Sequence, residues 1–452
     1  MKHKWKVAAA SLLAVSMAMT GCSSRDDGSS DGDKNQGSDT TAGEASGAFI
    51  NPDEDCDDYQ GTQGVEGDTI KIGTIRPAPG TPNYGIYDNV TRGAEAYFNA
   101  ANAAGGVEAG DGKKYKIELI KKDDAYDPAK TPAVARELVE QDGVFAIVGQ
   151  VGTEPAKAIR DYMNEKCVPN IGLATGSSEW GKANEYPWYI AALPAYATEA
   201  HAWVNYLKTA APNAKVALLY QNDDFGEAYK GSFEREIEGT DIKIVATESF
   251  NAIGNLSPEA QVVALSQKSA DVFIVGIGGS ACPKALSFIP DTWKPMTFIS
   301  VTCGAKIAML LSGGHDQGVY LAQATYDPAD PADADQPSIV EFREQGKIGG
   351  LSDDDISNGL AAPGWGFASL FALGLKEAKT VDRASVMNAL FSLKDAQFGM
   401  LREGITINTD GAKDPWVVEG FRISQREGEG WVEKAPVENW EGQSNKFADL
   451  KD

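Results

Sequence analysis

The fold of this chain is decided by residues 143–180, which read GVFAIVGQVGTEPAKAIRDYMNEKCVPNIGLATGSSEW. Residues 145–148 form a short apolar run that ends at a glycine, which is typical of a buried parallel strand. The Glu-Pro pair at 154–155 predicts a helix start, because proline is tolerated in the first turn and the helix dipole favours an acid there. Residues 168–173 predict the next strand, and residues 174–178 predict a loop. The stretch therefore predicts strand, loop, helix, strand and loop in succession.

The two loops of this stretch have a composition suited to binding. In a parallel sheet both follow the carboxyl ends of neighbouring strands, which is where open α/β sheets hold small ligands. Residues 150–153 are small and polar, and residues 174–178 read ATGSS. These residues offer backbone N–H groups and hydroxyls, and they include no catalytic base. The pattern indicates a site that holds an anionic or polar group without transforming it.

These loops resemble the first-lobe binding loops of the leucine/isoleucine/valine-type solute-binding proteins of ABC importers. That family carries G-x-x-x-[ST] after one strand, and a Val-Pro strand that ends in a small residue and threonine. The two motifs stand here as Gly149 to Thr153 and as Val168 to Thr175. Further strings, FNAANAAGG at 98–106 and NDDFG at 222–226, continue the resemblance, which covers about residues 70–431.

The resemblance implies an α/β fold of two doubly wound lobes joined by three crossover strands, the type I periplasmic binding protein fold. The implied boundaries are 67–194 and 323–398 for the first lobe, 195–322 and 399–440 for the second lobe, and 441–452 for a C-terminal tail. Within this frame we predict one long helix over 356–378. The acidic run DPADPADAD at 327–335 predicts a solvated loop.

The resemblance also implies a binding site and a mechanism, in which closure of a hinge traps a ligand between the lobes. Thr153, Ala174 and Thr175 would hold its polar group, Phe225 would cover its apolar part, and Arg76 would be a counter-ion for a carboxylate. The candidate ligand-binding residues are Tyr84, Gly152, Thr153, Ala174, Thr175, Gly176, Tyr196, Phe225, Ser280 and Thr302. Asp223 and Asp224 are either ligand contacts or helix caps. No catalytic residue, cofactor or metal site is predicted.

The chain departs from the amino-acid binders of this family where they hold the ligand ammonium. Those proteins place acids near the first crossing and after a second-lobe strand. Here the crossing reads Pro-Ala-Tyr at 194–196, and the later loop reads Val-Thr-Cys at 301–303. A buried ammonium without a carboxylate is costly. Unless Asp223, Asp224 or Glu199 replaces these acids, we therefore expect a ligand that lacks an ammonium group, with Trp180, Trp188 and Trp365 beside Phe225 as aromatic neighbours.

The N-terminus predicts export and lipidation. Residues 1–21 combine three lysines with an apolar run too short to cross a bilayer, which is typical of a signal peptide. The run Met-Thr-Gly-Cys at 19–22 resembles a bacterial lipobox, which implies cleavage before Cys22, a lipid on its sulfur and attachment to the outer face of the membrane. Residues 22–66 are assigned to a flexible tether on their Gly/Ser/Asp-rich composition. The alternative is an ordinary signal peptide with an incidental cysteine.

Four further cysteines, Cys56, Cys167, Cys282 and Cys303, lie in the exported part, where disulfides are allowed. They permit three pairings. Cys282 and Cys303 each follow a predicted strand, and we expect those strands to be neighbours, so we favour Cys282–Cys303 and hence Cys56–Cys167. The absence of C-x-x-C argues against a zinc site or a thioredoxin-type centre.

The net charge and the sequence motifs restrict the classes of function that this protein can have. The formal net charge of −24 disfavours nucleic acid as a partner. We predict a monomeric solute-binding lipoprotein that delivers a small organic ligand, such as a branched-chain amino acid, small carboxylate, aromatic acid or amide, to ABC permease and ATPase subunits. One alternative is a binding module for a sensor or receptor. A second is an exported hydrolase, which composition alone does not exclude, although no G-x-S-x-G or H-E-x-x-H motif is present.

Overall fold

Two β-sheets organise the chain in the computed structural model, which describes residues 48–253, 255 and 257–450. The signal peptide, Cys22 and most of the assigned tether lie outside these residues. The first sheet contains β1 (Val65–Glu66), β2 (Thr69–Arg76), β3 (Val107–Glu108), β4 (Lys114–Asp123), β5 (Ile147–Val148), β6 (Asn170–Leu173) and β7 (Tyr189–Ala191). The second sheet contains β8 (Lys215–Gln221), β9 (Lys243–Phe250), β10 (Val272–Gly276), β11 (Met296–Ile299), β12 (Tyr320–Gln323), β13 (Gly420–Glu427) and β14 (Gly430–Asn439).

The strand orders are those of two doubly wound units. The first sheet runs β3-β4-β2-β5-β6-β7, and β1 pairs with β2. Its central strands are parallel, with Gly73 of β2 opposite Ile147 of β5 and Ile147 opposite Asn170 of β6. The second sheet runs β14-β13-β12-β11-β10-β8-β9, with an antiparallel edge formed by β13 and β14. This architecture confirms the predicted α/β fold class.

Helices cover the faces of both sheets. They are α1 (Pro52–Asp55), α2 (Asp88–Ala103), α3 (Thr131–Arg136), α4 (Thr153–Glu165), α5 (Tyr196–Ala210), α6 (Asp224–Glu236), α7 (Glu259–Ser266), α8 (Ala281–Ser287), α9 (Lys306–Met309), α10 (Pro337–Ile348), α11 (Asp353–Ser357), α12 (Ala361–Glu377), α13 (Arg383–Leu390) and α14 (Ser444–Phe447). The strands between them are apolar runs, such as Val272 to Val275, whose side chains are fully buried, as parallel sheets covered on both faces require. Among the described helices, none combines the length and hydrophobicity needed to cross a bilayer.

The chain passes between the two sheets three times, after β7, after β12 and after α13. The last two passages pair with each other, because Thr325 bridges Leu401 in antiparallel fashion and the Arg402 N–H donates to the Ala324 carbonyl at 3.0 Å. The first passage leads directly from β7 into α5. The lobes are therefore connected by three backbone segments, of which the second and third are paired.

Both favoured disulfides are present, Cys56–Cys167 and Cys282–Cys303. The second joins the start of α8 to the loop after β11, since β10 and β11 are neighbours in the sheet as expected. The first ties the N-terminal segment to the turn before β6.

The described part of the assigned tether is packed against the first lobe. Ile50 is buried and exchanges two backbone hydrogen bonds with the side chain of Asn388. The ring of Phe49 packs edge-on against Phe391. The assignment of residues 22–66 to a flexible tether is therefore wrong for the packed residues 49 and 50.

The long helix predicted within 356–378 is present as α12, but its predicted start is wrong. A turn at Asn358 to Leu360 separates α12 from the short helix α11. Gly359 has φ +84°, a left-handed conformation that interrupts a helix and that glycine adopts readily. At this turn the Ile307 N–H of the second lobe donates to the Asn358 carbonyl at 3.0 Å, so the break brings the two lobes into contact.

The acidic run at 327–335 is not a solvated loop either. Asp330 and Asp333 are buried, and Asp333 forms an ion pair with Arg402 at 2.7 Å. Asp330 accepts from the Trp431 N–H at 2.9 Å. The prediction failed because these acids find their partners about 70 and 100 residues away along the chain, beyond the reach of local composition.

Candidate functional site

A cavity of about 140 Å³ lies where the carboxyl ends of the two sheets face each other. Its wall is largely aromatic and aliphatic, and its aromatic members are Tyr84, Tyr87, Tyr126, Tyr196, Phe225, Tyr326 and Phe367. Its polar side chains come from Thr153, Gln221, Thr302, Gln323, Thr325 and Asp327. An apolar wall with a few polar groups is the usual form of a small-molecule site.

The first-lobe wall is formed by the loops after β5 and β6. Gly152 adopts φ +107° and lets the chain enter α4 at Thr153. The Thr153 hydroxyl lies 2.6 Å from the Thr175 hydroxyl, and the Trp180 indole N–H donates to Thr175 at 3.4 Å. The first turn of a helix has N–H groups without intrahelical partners and favours negative charge. This wall is therefore suited to a carboxylate or another oxygen acceptor.

Tyrosine rings form one side of the cavity. Tyr84 and Tyr126 are stacked with ring centroids 3.7 Å apart. The Tyr84 hydroxyl is buried and has no hydrogen-bond partner within the described part of the chain. Burial raises the pKa of Tyr84 and that of Tyr126, so both remain neutral phenols. The free hydroxyl is a donor and acceptor available to a bound molecule.

The second-lobe wall is built around Gln221 and Phe225. The Gly278 N–H donates to the Gln221 side-chain oxygen at 3.2 Å, and the Gln221 amide donates to Asp223 at 2.5 Å. Asp223 caps α6 by accepting from the Gly226 N–H at 3.3 Å, as one of the two alternatives for this residue predicted. Burial raises the pKa of Asp223 to about 6, against these hydrogen bonds. The Phe225 ring packs edge-on against Tyr196.

A carboxylate does lie on the cavity wall, at Asp327 in the second passage between the lobes. One of its oxygens accepts from the Ala329 N–H at 2.8 Å. Burial raises the pKa of this carboxyl to about 6. The two positions at which the family holds an ammonium lack a carboxylate, but Asp327 supplies one from a segment that the sequence pattern assigned to solvent.

Positive charge is absent from the wall, as far as the described residues extend: no lysine, arginine or histidine lines the cavity. Arg76, the predicted counter-ion, is off the wall, and its Nε lies 3.1 Å from the Asp88 carboxylate. His201 accepts or donates a hydrogen bond with Glu236 at 2.8 Å and stacks on Phe447, away from the cavity. An anionic group would thus be held by hydrogen bonds and by the start of α4.

Contacts between the lobes close the cavity. The Asn83 side-chain amide of the first lobe donates to the Ala252 carbonyl at 2.9 Å. The backbone carbonyl of Asn83 accepts from the Ser280 N–H at 2.8 Å. The Tyr87 hydroxyl accepts from the Gly279 N–H at 2.7 Å. Lys157 of α4 forms an ion pair with Asp224 of α6.

The predicted ligand-binding residues fall into two groups. Those on the cavity wall are Tyr84, Gly152, Thr153, Ala174, Tyr196, Phe225 and Thr302. Three are off it: Thr175 lies behind Thr153, the Gly176 carbonyl accepts from the Tyr196 N–H at 2.8 Å, and Ser280 bonds to Asn83. A direct ligand contact remains a prediction for the first group.

The predicted tryptophan neighbours are also off the wall. Trp188 is a core residue, Trp180 stacks on Tyr189, and Trp365 packs against Tyr97. Conversely, the sequence reasoning missed Tyr126, Gln221 and Asp327. Tyr126 stands in the string DDAYDP, whose acids we interpreted as the start of a helix, and Gln221 directly follows the strand predicted over 215–220. Because ligands bind at the carboxyl ends of the strands in such sheets, the position of Gln221 could have identified it as a site residue.

Two α/β lobes around a cavity at their strand ends define a class of binding proteins that capture a ligand between lobes. The chain belongs to the periplasmic binding protein family, whose model matches residues 69–415. An amino acid binding protein of Pseudomonas aeruginosa is 26% identical over 210 residues, which are 46% of this chain and 53% of that protein. The chain thus matches about half the length of this curated relative.

Solved structures show the same fold over nearly their whole length. A branched-chain amino acid ABC transporter protein from Thermus thermophilus with bound valine has a TM-score of 0.72 at 17% identity, covering 84% of this chain and 99% of that one. A solute-binding protein from R. palustris in complex with benzoate has a TM-score of 0.66 at 17% identity, covering 82% and 98%. The predicted family and fold are confirmed.

Proposed function

We propose that this protein is an exported solute-binding lipoprotein that captures one small organic molecule between its lobes and delivers it to an ABC permease and ATPase. The observation that carries the proposal is the cavity at the strand ends, closed by contacts from both lobes and free of basic side chains on its described wall. Family membership and the relatives that bind amino acids or benzoate support it.

We propose the two lobes as the moving bodies, with the boundaries 67–194 and 323–398 against 195–322 and 399–440. The paired passages at Thr325 and Leu401 support a hinge between them. Closure requires that the ligand bind the closed state more tightly than the open one.

The volume of the cavity and the residues that line it indicate the class of ligand. A cavity of about 150 Å³ is enough for benzene, so a molecule with one ring or one branched aliphatic chain fits the cavity of about 140 Å³. Its carboxylate or amide oxygen would lie at Thr153 and the start of α4, and its apolar part among Tyr84, Tyr126 and Phe225. Asp327 would accept from an ammonium or other N–H donor if the ligand has one.

The cellular setting is part of the proposal. The lipobox-like run that ends at Cys22 supports cleavage and lipidation, and both disulfides suit an oxidising compartment outside the cytoplasm. The lipid would hold the protein at the outer face of the membrane, beside its permease, as a monomer.

A thermal-shift panel tests the function directly. The chain from residue 22, with Cys22→Ser to prevent lipidation, is incubated with L-leucine, 4-methylpentanoate, 4-methylpentanamide and benzoate. The first three share a carbon skeleton and differ only in the ammonium and the acid. A ligand at 100 times Kd adds about 2.7 kcal/mol of stability, which raises Tm by several degrees.

The matched probes separate the outcomes. Stabilisation by L-leucine alone assigns an ammonium contact to Asp327, and Asp327→Asn should then abolish it. Stabilisation by 4-methylpentanoate or benzoate alone restores the expectation of a ligand without an ammonium. Chemical conversion of a probe, or the absence of both stabilisation and a co-purified small molecule in the native mass spectrum, contradicts the proposal.

A further inference from the structure

Behind the second-lobe wall, a chain of hydrogen bonds leads from the cavity to a buried carboxyl group. Thr302 lies on the wall, and its hydroxyl is 2.9 Å from the Ser300 hydroxyl. The Ser300 hydroxyl is 2.8 Å from the Tyr229 hydroxyl, which is 2.5 Å from Oε2 of Glu199. The other carboxyl oxygen, Oε1, accepts from the Val301 N–H at 2.8 Å. Three side chains thus connect the cavity to Glu199.

The inner members of this chain are shielded from water. Glu199 and Ser300 are 0% exposed, and Tyr229 is 1% exposed. The groups that face the Glu199 carboxyl from the packed elements are the Tyr229 phenol of α6 and the Val301 N–H after β11. Among the residues that the structure describes, no lysine, arginine or histidine forms an ion pair with Glu199. Burial raises the pKa of Glu199 to about 8, against these two hydrogen bonds.

We propose that the protonation state of Glu199 sets, through Tyr229 and Ser300, whether the Thr302 hydroxyl donates to the ligand or accepts from it. This inference rests on the proposed function, because it assumes that a molecule binds beside Thr302. Glu199 is a positioning residue, since it acts on the ligand only through the other three side chains.

The direction of every hydrogen bond follows when Glu199 carries its proton. Oε1 is already an acceptor for the Val301 N–H, so the proton is on Oε2 and is donated to the Tyr229 oxygen. The Tyr229 hydroxyl then donates to Ser300, and the Ser300 hydroxyl donates to the Thr302 oxygen. The Thr302 proton is left to point into the cavity as a donor.

The directions reverse when Glu199 is ionised. Both carboxylate oxygens then accept, so the Tyr229 hydroxyl donates to Oε2 and its oxygen accepts from the Ser300 hydroxyl. The Ser300 oxygen accepts from the Thr302 hydroxyl, as it already does from the Thr302 N–H at 3.2 Å. The Thr302 oxygen now presents only lone pairs to the cavity. Each hydroxyl keeps one proton throughout, and only the Glu199 proton is gained or lost.

At neutral pH the ligand therefore presents an acceptor oxygen to Thr302, in addition to the oxygen that we place at Thr153. Above the Glu199 pKa the oxygen at Thr302 would face lone pairs, so affinity falls with rising pH. One reversed hydrogen bond weakens binding about tenfold. By linkage, the bound ligand raises the pKa of Glu199 further.

The first experiment needs no ligand. Glutamate labelled with ¹³C at the side-chain carboxyl is incorporated, and the carboxyl resonances are followed by NMR from pH 5 to 9.5. One resonance should titrate near pH 8 and be missing in Glu199→Gln. In Thr302→Val its midpoint should move by several tenths of a pH unit, whereas Thr325→Val, a wall hydroxyl outside the chain of bonds, should leave it in place. Titration of Glu199 near its ordinary value, or a midpoint that Thr302→Val does not move, overturns the proposal.

The second experiment measures affinity for 4-oxopentanoate and 4-oxopentanamide by calorimetry at pH 6 to 9, because each carries a ketone oxygen, which can only accept, away from its acid or amide group. The affinity of the wild type should fall about tenfold as the pH rises through 8. Glu199→Gln should remove the pH dependence, because its amide donates to Tyr229 at every pH, and Tyr229→Phe should also remove it by breaking the chain. Asp414→Asn is the matched control, since burial raises the pKa of Asp414 to about 8 as well, but away from the cavity wall. An equal pH dependence in Glu199→Gln and the wild type overturns the proposal.

The two experiments also separate this proposal from the function on which it rests. If neither probe binds at any pH, the proposed ligand class fails, and the NMR titration alone decides the proposal for Glu199. If a probe binds with an affinity that is constant from pH 6 to 9, the function stands and the role of Glu199 is wrong.

Discussion

The two walls of the cavity are assembled in different ways. The first-lobe wall, formed by Gly152, Thr153 and Ala174, comes from two loops within one stretch of the chain and from adjacent strands. The second-lobe wall, formed by Gln221, Phe225 and Thr302, comes from segments about 80 residues apart. Its parts are joined by Cys282–Cys303 and by the hydrogen bonds that lead to Glu199. The two loops of the first-lobe wall are therefore local, whereas the second-lobe wall depends on long-range connections.

The disulfides give the largest effects with which to test this difference. Cys56–Cys167 closes a separation of 111 residues and Cys282–Cys303 one of 21 residues. On loop entropy, replacing the first pair by alanine should lower the free energy of unfolding by about 5 kcal/mol and replacing the second pair by about 3 kcal/mol. Denaturant titration measures both values.

Affinity should follow the opposite order. Cys303 adjoins Thr302 on the second-lobe wall, whereas Cys167 lies before the amino end of β6, away from the cavity. The Cys282→Ala/Cys303→Ala variant should bind the stabilising probe of the panel more weakly, and Cys56→Ala/Cys167→Ala should bind it as the wild type does. Equal losses of affinity in the two variants would mean that the walls do not differ in this respect.

The next effect concerns the ring of the second-lobe wall. Phe225→Ala removes a buried ring that packs against Tyr196 and Tyr229. We expect a loss of about 3 kcal/mol in unfolding free energy, at the low end for such a change because the ring borders a cavity. Affinity should fall 10- to 100-fold, which is about the value of one buried apolar side chain. Phe225→Leu is the control, and it should recover most of both quantities in denaturant titration and calorimetry.

A smaller effect is expected on the first-lobe wall. Thr153→Ala removes a hydroxyl that bonds to Thr175 and faces the cavity. The free energy of unfolding should fall by about 1 kcal/mol and affinity for the probe by about tenfold. Thr153→Ser keeps the hydroxyl and should restore affinity in the same calorimetric assay. An alanine variant that binds as tightly as the wild type would remove Thr153 from the site.

The difference between the walls also explains how far the sequence alone could go. Strand ends, helix starts and the first-lobe loops are local features, and the pattern from Gly149 to Thr175 predicted them. The neighbouring strands β10 and β11 were enough to predict both disulfide pairs. Fold class and family followed from several such strings in order.

What the sequence did not predict depends on partners far along the chain. Asp327 reaches the cavity because Asp330 and Asp333 are fixed by Trp431 and Arg402. Composition alone makes such a run of acids look solvated. The break at Gly359 likewise reflects a contact with the other lobe, and a glycine inside an apolar helical pattern does not reveal it.

The smallest predicted effect lies between the two walls. Asp224→Asn removes the Lys157–Asp224 ion pair, which joins the two lobes and would be absent from the open state of the hinge motion that we propose. About a third of each side chain is exposed, 34% and 39%, so solvent screening limits the pair to about 0.5 kcal/mol. Because the pair forms on closure, the loss should appear as a roughly twofold faster release of the probe in stopped-flow fluorescence, and it should vanish at high salt. Asp291→Asn removes the same charge from a pair with Lys294 inside the second lobe and should leave release unchanged. An equal acceleration of release in both variants would mean that the change in net charge, and not the loss of the ion pair on closure, is responsible. The two walls would then be connected only by the backbone and by hydrogen bonds.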